Sequence, residues 1–339
     1  MSNLDLVSVA EAMVAEGRGI LAIDESSGTI EKRFNTINVE STEENRRAYR
    51  DMLLTTPGLG KYISGAILYD ETIRQSTSEG VTFVKTMEDA GIIPGIKVDT
   101  GAHPLAGHPG EKITEGLDGL RRRLEEYREM GARFAKWRAV ITMGENIPTS
   151  SCVDANAHAL ARYASLCQEA DIVPIVEPEV LMDGNHSLDE SFEVTEATLR
   201  ALFNQLYEQN VLLEGTILKA SMVISGSEAS NRAGVQEVAE ATVQCLLNSV
   251  PAALGGVVFL SGGQSDEEAT AHLDAMNRLG DFPWPLTFSY GRALQAAALS
   301  VWGENPAANV AAAQKKLAHR ARMNGLAALG QYEASLEAA

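Results

Sequence analysis

The sequence predicts an α/β fold, a single (β/α)8 TIM barrel with a short C-terminal tail. Three observations carry that prediction. Eight short apolar, β-branched runs bounded by Gly, Pro or polar clusters recur along the 339 residues, their starts about 38 residues apart. That spacing holds a strand, a loop, a crossover helix and a second loop, whereas hairpin-linked strands recur roughly every 8–12 residues. Helical signals fill the gaps, and no Pro/Ser-rich linker or break in composition divides the chain. A doubly wound sheet is the competing architecture.

Taken in order, the first run, 19–24 (GILAID), closes on Asp24, and the second, 63–70 (ISGAILYD), on Asp70. The third, 93–99 (IPGIKVD), carries Lys97 and Asp99, and the fourth, 134–140, holds Lys136 and Arg138 among apolar neighbours. Glu177 and Glu179 interrupt the fifth, 172–180, and Lys219 the sixth, 213–223. The seventh, 256–263, ends in Ser261-Gly262-Gly263; the eighth, 285–292, ends in Ser289-Tyr290-Gly291-Arg292. Between strands, Leu117, Leu120, Leu124, Tyr127 and Met130 follow the three-to-four spacing of one buried helix face. Ser41 with Glu44, Ser187 with Glu190 and Ser265 with Glu268 read as capping boxes where post-strand helices should begin. A helix is expected over 305–325, after which Gly330, Gln331, Tyr332 and an Ala/Glu-rich end read as a tail. The expected division is therefore 1–325 as a barrel with an N-terminal helix, and 326–339 as the tail.

Composition narrows the function. With 28 Lys+Arg against 46 Asp+Glu, the net charge is −18, so a nucleic-acid partner, which needs a basic face, is excluded. A small anion remains possible, because a few buried cations can hold a phosphate whatever the outer surface carries. The three cysteines, Cys152, Cys167 and Cys245, show no C-x-x-C spacing and point to a reducing compartment with neither disulfide framework nor zinc finger. Asp5 and Glu11 interrupt the first apolar stretch before a leader could form, and no apolar run approaches the ~20 residues a bilayer span needs. A cytoplasmic location without membrane contact is expected.

The chemistry is written where ionisable residues interrupt apolar strands. Side chains alternate across a strand, so Lys136 and Arg138 share one face, as do Glu177 and Glu179, and strand ends converge at the carboxyl face of a barrel. A lone charge such as Asp70 or Asp99 is best read as a solvated terminus or half of an ion pair. Charges recurring strand after strand are better explained by a shared polar site. Lys219 lies in a strand otherwise apolar or small, where desolvation and a second cation such as Lys136 favour a free amine that attacks carbonyls. Glu177 and Asp24 are the carboxylates available for the proton transfers an imine requires. The Gly-containing ends of the seventh and eighth runs suit a phosphate, with backbone N–H groups and a helix dipole to receive it and Arg292 as a bidentate donor. No HExxH, P-loop or strand-borne G-x-G-x-x-G occurs, and no metal constellation stands out. His103 and His108 read as residues of a Pro/Gly-rich loop, and His158, His186, His272 and His319 as ordinary loop or helix-surface residues.

Eight motifs in order carry a resemblance: 19–33 (GILAIDESSGTIEKR), 41–49 (STEENRRAY), 95–101 (GIKVDTG), 135–140 (AKWRAV), 175–180 (IVEPEV), 212–219 (LLEGTILK), 259–264 (FLSGGQ) and 286–294 (LTFSYGRAL). From about residue 4 to 332 the chain resembles the class I, imine-forming fructose-bisphosphate aldolases. The resemblance implies a metal-independent lyase of glycolysis and gluconeogenesis, assembled as a homotetramer, with no cofactor beyond the covalent substrate imine. By motif it implies Lys219 as the Schiff-base nucleophile and Glu177 as the acid/base for imine formation and dehydration. Asp24 would take the C4 hydroxyl proton, Lys136 support the imine electrostatically and Glu179 orient its neighbours. It implies Ser261, Gly262, Gly291, Arg292 and Arg33 at the C1 phosphate, and Lys97, Arg138 and Ser26 at the C6 end. Well-studied members end in a tyrosine that protonates the enamine; the sequence closes at Ala339 without one, and the resemblance transfers that role to no residue here, Tyr332 included. The competing readings are another imine-forming barrel aldolase of the transaldolase kind, and a non-catalytic sugar-phosphate scaffold.

Overall fold

The computed structural model describes residues 3–338. Met1, Ser2 and Ala339, at the extremes of the expected barrel unit and tail, lie outside the described residues. All eight expected strands form: β1 (Gly19–Ala22), β2 (Ile63–Leu68), β3 (Ile93–Lys97), β6 (Phe134–Ile141), β7 (Val173–Val180), β8 (Ile217–Ala220), β9 (Gly256–Phe259) and β10 (Leu286–Tyr290). They pair in parallel and close on themselves through β1 and β10. The strands β4 (Gly101–Pro104) and β5 (Lys112–Glu115) make a separate antiparallel hairpin where the sequence suggested only a Pro/Gly-rich loop. His103 is thus a strand residue and His108 sits in the turn between the two strands. The hairpin is half solvated and lacks the apolar alternation that identifies a strand. It is held by Thr114 Oγ1 donating to the Arg138 carbonyl (2.8 Å) and Asn156 Nδ2 donating to the Lys112 carbonyl (2.8 Å).

Helix α1 (Asn3–Met13) precedes the barrel. Helices α2 (Ser27–Asn35) and α3 (Glu43–Leu54) follow β1, and α4 (Asp70–Ile73) and α5 (Phe83–Asp89) follow β2. Then α6 (Leu120–Glu129), α7 (Ser150–Glu169), α8 (Leu188–Glu208), α9 (Val235–Ser249) and α10 (Asp266–Arg278) alternate with the later strands. The last two are α11 (Arg292–Glu304) and α12 (Val310–Ala327); residues 305–309, expected to be helical, join them as a loop containing Pro306. The sixth strand is shorter than expected, because residues 213–215 form a 3-10 turn before β8. Leu120, Leu124 and Tyr127 are buried on α6, as their spacing required.

Helix starts follow the cap chemistry with one shift. Ser187 and Glu190 form the reciprocal box, and Ser265 accepts from the Glu268 amide (3.2 Å). The cap of α3 is Thr42, accepting from the Asn45 amide (3.1 Å), and not Ser41. This cap puts both Glu43 and Glu44 in the first turn, where the helix dipole favours them.

Two apolar layers hold the barrel. Outward-facing strand residues such as Leu21, Leu218, Phe259 and Phe288 pack under the helices. Inward-facing Ile20, Ile67, Phe134, Ile175, Ile217 and Val258 fill the barrel's lower half, and Leu6, Ala10 and Met13 of α1 close that end. Among the described residues, the ionisable side chains of the barrel interior lie in its upper half. At the tail, the buried Tyr332 donates its amide to Asp274 (2.8 Å), and Glu337 takes His319 (2.9 Å), the Tyr332 hydroxyl (3.1 Å) and Arg320.

The Phe134 ring fits inside the barrel because its neighbours lack side chains. A Cβ at Gly95 would lie 2.2 Å from the ring and one at Gly65 2.9 Å from it. Gly95→Ala should therefore cost about 1–3 kcal/mol by overpacking, read as a lower urea midpoint. Phe134→Leu added to Gly95→Ala should recover part of that loss; an unchanged midpoint in the single variant would refute the account.

Candidate active site

The register of the parallel strands decides which polar residues meet. Lys97 of β3 pairs with Lys136 of β6, and Arg138 of β6 with Glu177 of β7. Glu177 and Lys219 each lie one residue beyond the pair Val176 and Leu218, so β7 and β8 deliver them to one height inside the barrel. Lys219 Nζ lies 3.1 Å from Glu177 Oε1, and the other carboxylate oxygen is 3.4 Å from Lys136 Nζ. Lys136 Nζ also reaches Asp24 Oδ2, just beyond β1, at 2.7 Å. Lys219, Glu177 and Lys136 are buried, and Asp24 nearly so. Along this chain the charges alternate in sign.

The neighbouring charges shift Asp24, Glu177 and Lys136 toward their charged forms. Burial by itself pushes the Asp24 carboxyl up, but the charges of Lys136 and then Lys219 outweigh it and hold the group well below the usual carboxylate range. Glu177 follows the same logic: against burial, Lys219 first and Lys136 second keep it ionised. Burial of Lys136 favours its neutral form, yet Asp24 and then Glu177 drive it above the ordinary lysine value. One atom is left over. Glu177 Oε2, 3.4 Å from Lys136 Nζ, makes that ion pair without a hydrogen bond of good geometry, which leaves it able to accept from a reacting group.

Around this centre sit two cationic clusters. Lys97 Nζ is 3.0 Å from Asp99 Oδ1 and 6.0 Å from the Tyr69 ring centroid, and Arg138 pairs with Glu179. On the other side, residues 261–264 turn with Gly262 at φ 58° and Gly263 at φ 98°, conformations that only glycine adopts freely. The Arg292 guanidinium covers Gly263, where a Cβ would meet its Nη2 at 3.4 Å, and Arg33 Nη2 would lie 3.7 Å from a Cβ at Gly291. The turn leads into α10, and Gly291 caps α11, so two helix N-termini converge beside two arginines. In the ring of strands, β3 and β6 lie diametrically opposite β9 and β10. Ser26 caps α2 and shares a hydrogen bond with Thr29 (3.1 Å); it belongs to the β1 side, separated from Lys97 by β2.

Sequence reasoning passed over several residues that the fold brings here. Glu25 is buried and takes both Arg50 (2.6 Å) and Arg33, with Gln295 donating at 3.1 Å. Nothing in a single acidic residue next to Asp24 distinguished it. Asp99 is half of an ion pair, as expected, but a buried one that also accepts from the Arg138 amide (3.3 Å). Asp70 is the exposed partner of Arg74 at 2.9 Å and stays apart from the site. Ser289 faces the barrel interior with a buried hydroxyl that has no partner. His186 and His272, expected near the surface, are both buried.

A protein-family model described as fructose-bisphosphate aldolase class-I matches residues 5–339. A probable fructose-bisphosphate aldolase class 1 of Xylella fastidiosa is 66% identical over 98% of this chain and 100% of its own length. The fructose-bisphosphate aldolase of Dictyostelium discoideum is 52% identical over 97% of this chain and 92% of its own. Among solved structures, the Plasmodium falciparum fructose-bisphosphate aldolase, crystallised with TRAP and a small-molecule inhibitor, superposes with a TM-score of 0.96. It is 50% identical, over 97% of this chain and 95% of that one. Barrel, buried lysine–carboxylate chain and full-length similarity agree, and the chain belongs to the class I fructose-bisphosphate aldolase family.

Proposed function

We propose that this chain cleaves fructose 1,6-bisphosphate reversibly to glycerone phosphate and glyceraldehyde 3-phosphate, with Lys219 as the nucleophile. The observation that carries the reading is the buried contact of Lys219 Nζ with Glu177 (3.1 Å), flanked by Lys136 and Asp24. The opposed cationic clusters support a substrate with a phosphate at each end, with Ser261, Gly262, Gly291, Arg292 and Arg33 at C1 and Lys97 and Arg138 at C6; Ser26, on the β1 side, is assigned to the C6 end by the family motif alone. A class I aldolase works through a covalent lysine imine and needs no metal.

Proton movements follow the charge chain. Lys219 passes a proton to Glu177 and attacks the C2 carbonyl; Glu177 returns a proton to the carbinolamine hydroxyl, which leaves as water and yields the iminium. Asp24, held ionised by Lys136, takes the C4 hydroxyl proton. The C3–C4 bond then breaks, its electrons flow into the iminium to give the enamine, and glyceraldehyde 3-phosphate departs. C3 then takes up a proton, Asp24 gives up the one it took from the C4 hydroxyl, and water hydrolyses the iminium, releasing glycerone phosphate and returning Lys219 to the amine. Lys136 stabilises the carboxylates throughout, and Glu179 orients Arg138.

We further propose one barrel unit over 1–325 with 326–339 as its tail, a cytoplasmic enzyme of glycolysis and gluconeogenesis, and a homotetramer. The homotetramer rests on the resemblance to the family alone. Among the described residues no helix is long and apolar enough to cross a membrane.

Borohydride reduction with glycerone phosphate should attach a three-carbon adduct to Lys219, seen by peptide mass, and Lys219→Arg should abolish it; an unmodified Lys219, or activity lost to a chelator, would sink the reading. Glu177→Gln should lower kcat by about 10²- to 10⁴-fold. Lys136→Met removes a cation that depresses the carboxyl pKa values, so the acid limb of residual kcat/KM should move to higher pH. A limb that stays in place would separate Lys136 from that role.

A further inference from the structure

We propose that His272, acting through Gln264, is a positioning residue for the turn that receives the C1 phosphate. Both side chains are buried, His272 on α10 and Gln264 at the end of the turn. His272 Nδ1 lies 2.6 Å from Gln264 Oε1. An amide oxygen only accepts, so Nδ1 carries the proton and donates. The Gln264 amide group donates in turn to the Ser261 carbonyl (3.0 Å) and lies 3.5 Å from Met222 Sδ, in the segment following β8, the strand of Lys219.

The Ser261 carbonyl therefore has two donors from one residue, the Gln264 side chain and the Gln264 backbone amide (3.0 Å). Its two lone pairs are occupied on the scaffold side of the turn. With the carbonyl fixed there, the left-handed backbone of Gly262 and Gly263 is held beside Arg292, whose Nη2 would lie 3.4 Å from a Cβ at Gly263. Left to itself, a Gly-Gly turn samples many conformations, and ordering it on binding would cost affinity. The His272–Gln264 pair removes that cost in advance. It also ties the turn to the segment after β8, so the phosphate is located relative to the imine nitrogen. The charged groups near His272 are Glu268, one helical turn earlier, and Arg232, which pairs with Glu268 at 3.1 Å. Neither replaces the Nδ1 contact.

The inference rests on the reading that residues 261–263 and Arg292 hold the C1 phosphate. His272→Leu should raise KM for fructose 1,6-bisphosphate and for fructose 1-phosphate about tenfold with kcat little changed. Borohydride trapping of unphosphorylated dihydroxyacetone on Lys219 should stay at the parent level. His272→Asn, whose amide can donate to Gln264, should recover most of the KM. Gln264→Met, close in volume, should reproduce the defect and serves if His272→Leu fails to fold. An unchanged KM in the Leu and Met variants, or equal losses with phosphorylated and unphosphorylated substrates, would overturn the proposal. Arg292→Ala separates the two levels: if it raises KM while His272→Leu does not, the positioning role alone is wrong. If Arg292→Ala also leaves KM unchanged, the C1-phosphate reading itself fails and takes the proposal with it.

Discussion

Everything in the upper barrel answers to one electrostatic constraint: Lys219, Glu177, Lys136 and Asp24 are buried together and must alternate in sign. An isolated charge in such a place costs several kcal/mol, and removing one member of a buried pair leaves its partner uncompensated. Four side chains on β6, β7, β8 and the end of β1 can alternate only if the strands arrive in fixed register. The apolar lower half enforces that register. Phe134 fills the space left by Gly65 and Gly95, and α1 closes the end, so slippage by one residue would bury charges among Ile and Val and expose the core face to the mouth. Packing below and charge pairing above thus specify the same alignment.

The same pairing reconciles a net charge of −18 with a doubly phosphorylated substrate. The mouth is no simple basic patch. Lys97 faces Asp99, Arg138 faces Glu179, and Arg33 shares Glu25 with Arg50. Each carboxylate holds its cation in place and shields it, so no cluster of bare positive charge has to be maintained before substrate arrives. Arg292 is different, since among the described residues it has no acidic partner and its guanidinium lies over the Gly263 backbone. A phosphate entering there meets an uncommitted arginine and two helix N-termini without displacing a resident carboxylate from Arg292. Outer acidity is then a matter of solubility, decoupled from recognition within a barrel whose walls exclude most solvent.

Much of this was legible in the sequence because strands announce themselves by apolar content and a charge inside such a run is conspicuous. Lys136, Glu177 and Lys219 were found in that way, and the register supplied the contacts between them. What escaped was encoded in proximity alone. Glu25 and Gln295 meet only because β1 and α11 adjoin across the closed barrel. The β4–β5 hairpin is half solvated, so its strands carry no apolar period. His272 looked like a helix-surface residue, because one polar side chain among Ala and Leu at mid-helix does not reveal which way the helix faces. Ser41 and Thr42 are equivalent as caps by composition, and the choice of Thr42 follows from where the chain enters α3.

An ionised resting Glu177 stands against the proposed part that requires it to deliver a proton. The conflict dissolves once the origin of its low pKa is considered. The foremost stabilising charge is that of Lys219, the group that the proposed mechanism consumes. When Lys219 gives up its proton and bonds to carbon, that charge disappears and the burial of Glu177 is no longer offset to the same extent, which favours the protonated acid at the step where water must leave. As the iminium forms, positive charge returns to the same nitrogen and Glu177 is driven back to the carboxylate. Asp24 is spared this swing because its nearer partner, Lys136 at 2.7 Å, takes no covalent part and keeps its charge throughout. In the proposed mechanism two carboxylates that share one lysine thereby acquire different functions: the one facing the nucleophile cycles with it, and the one facing the spectator cation stays a base.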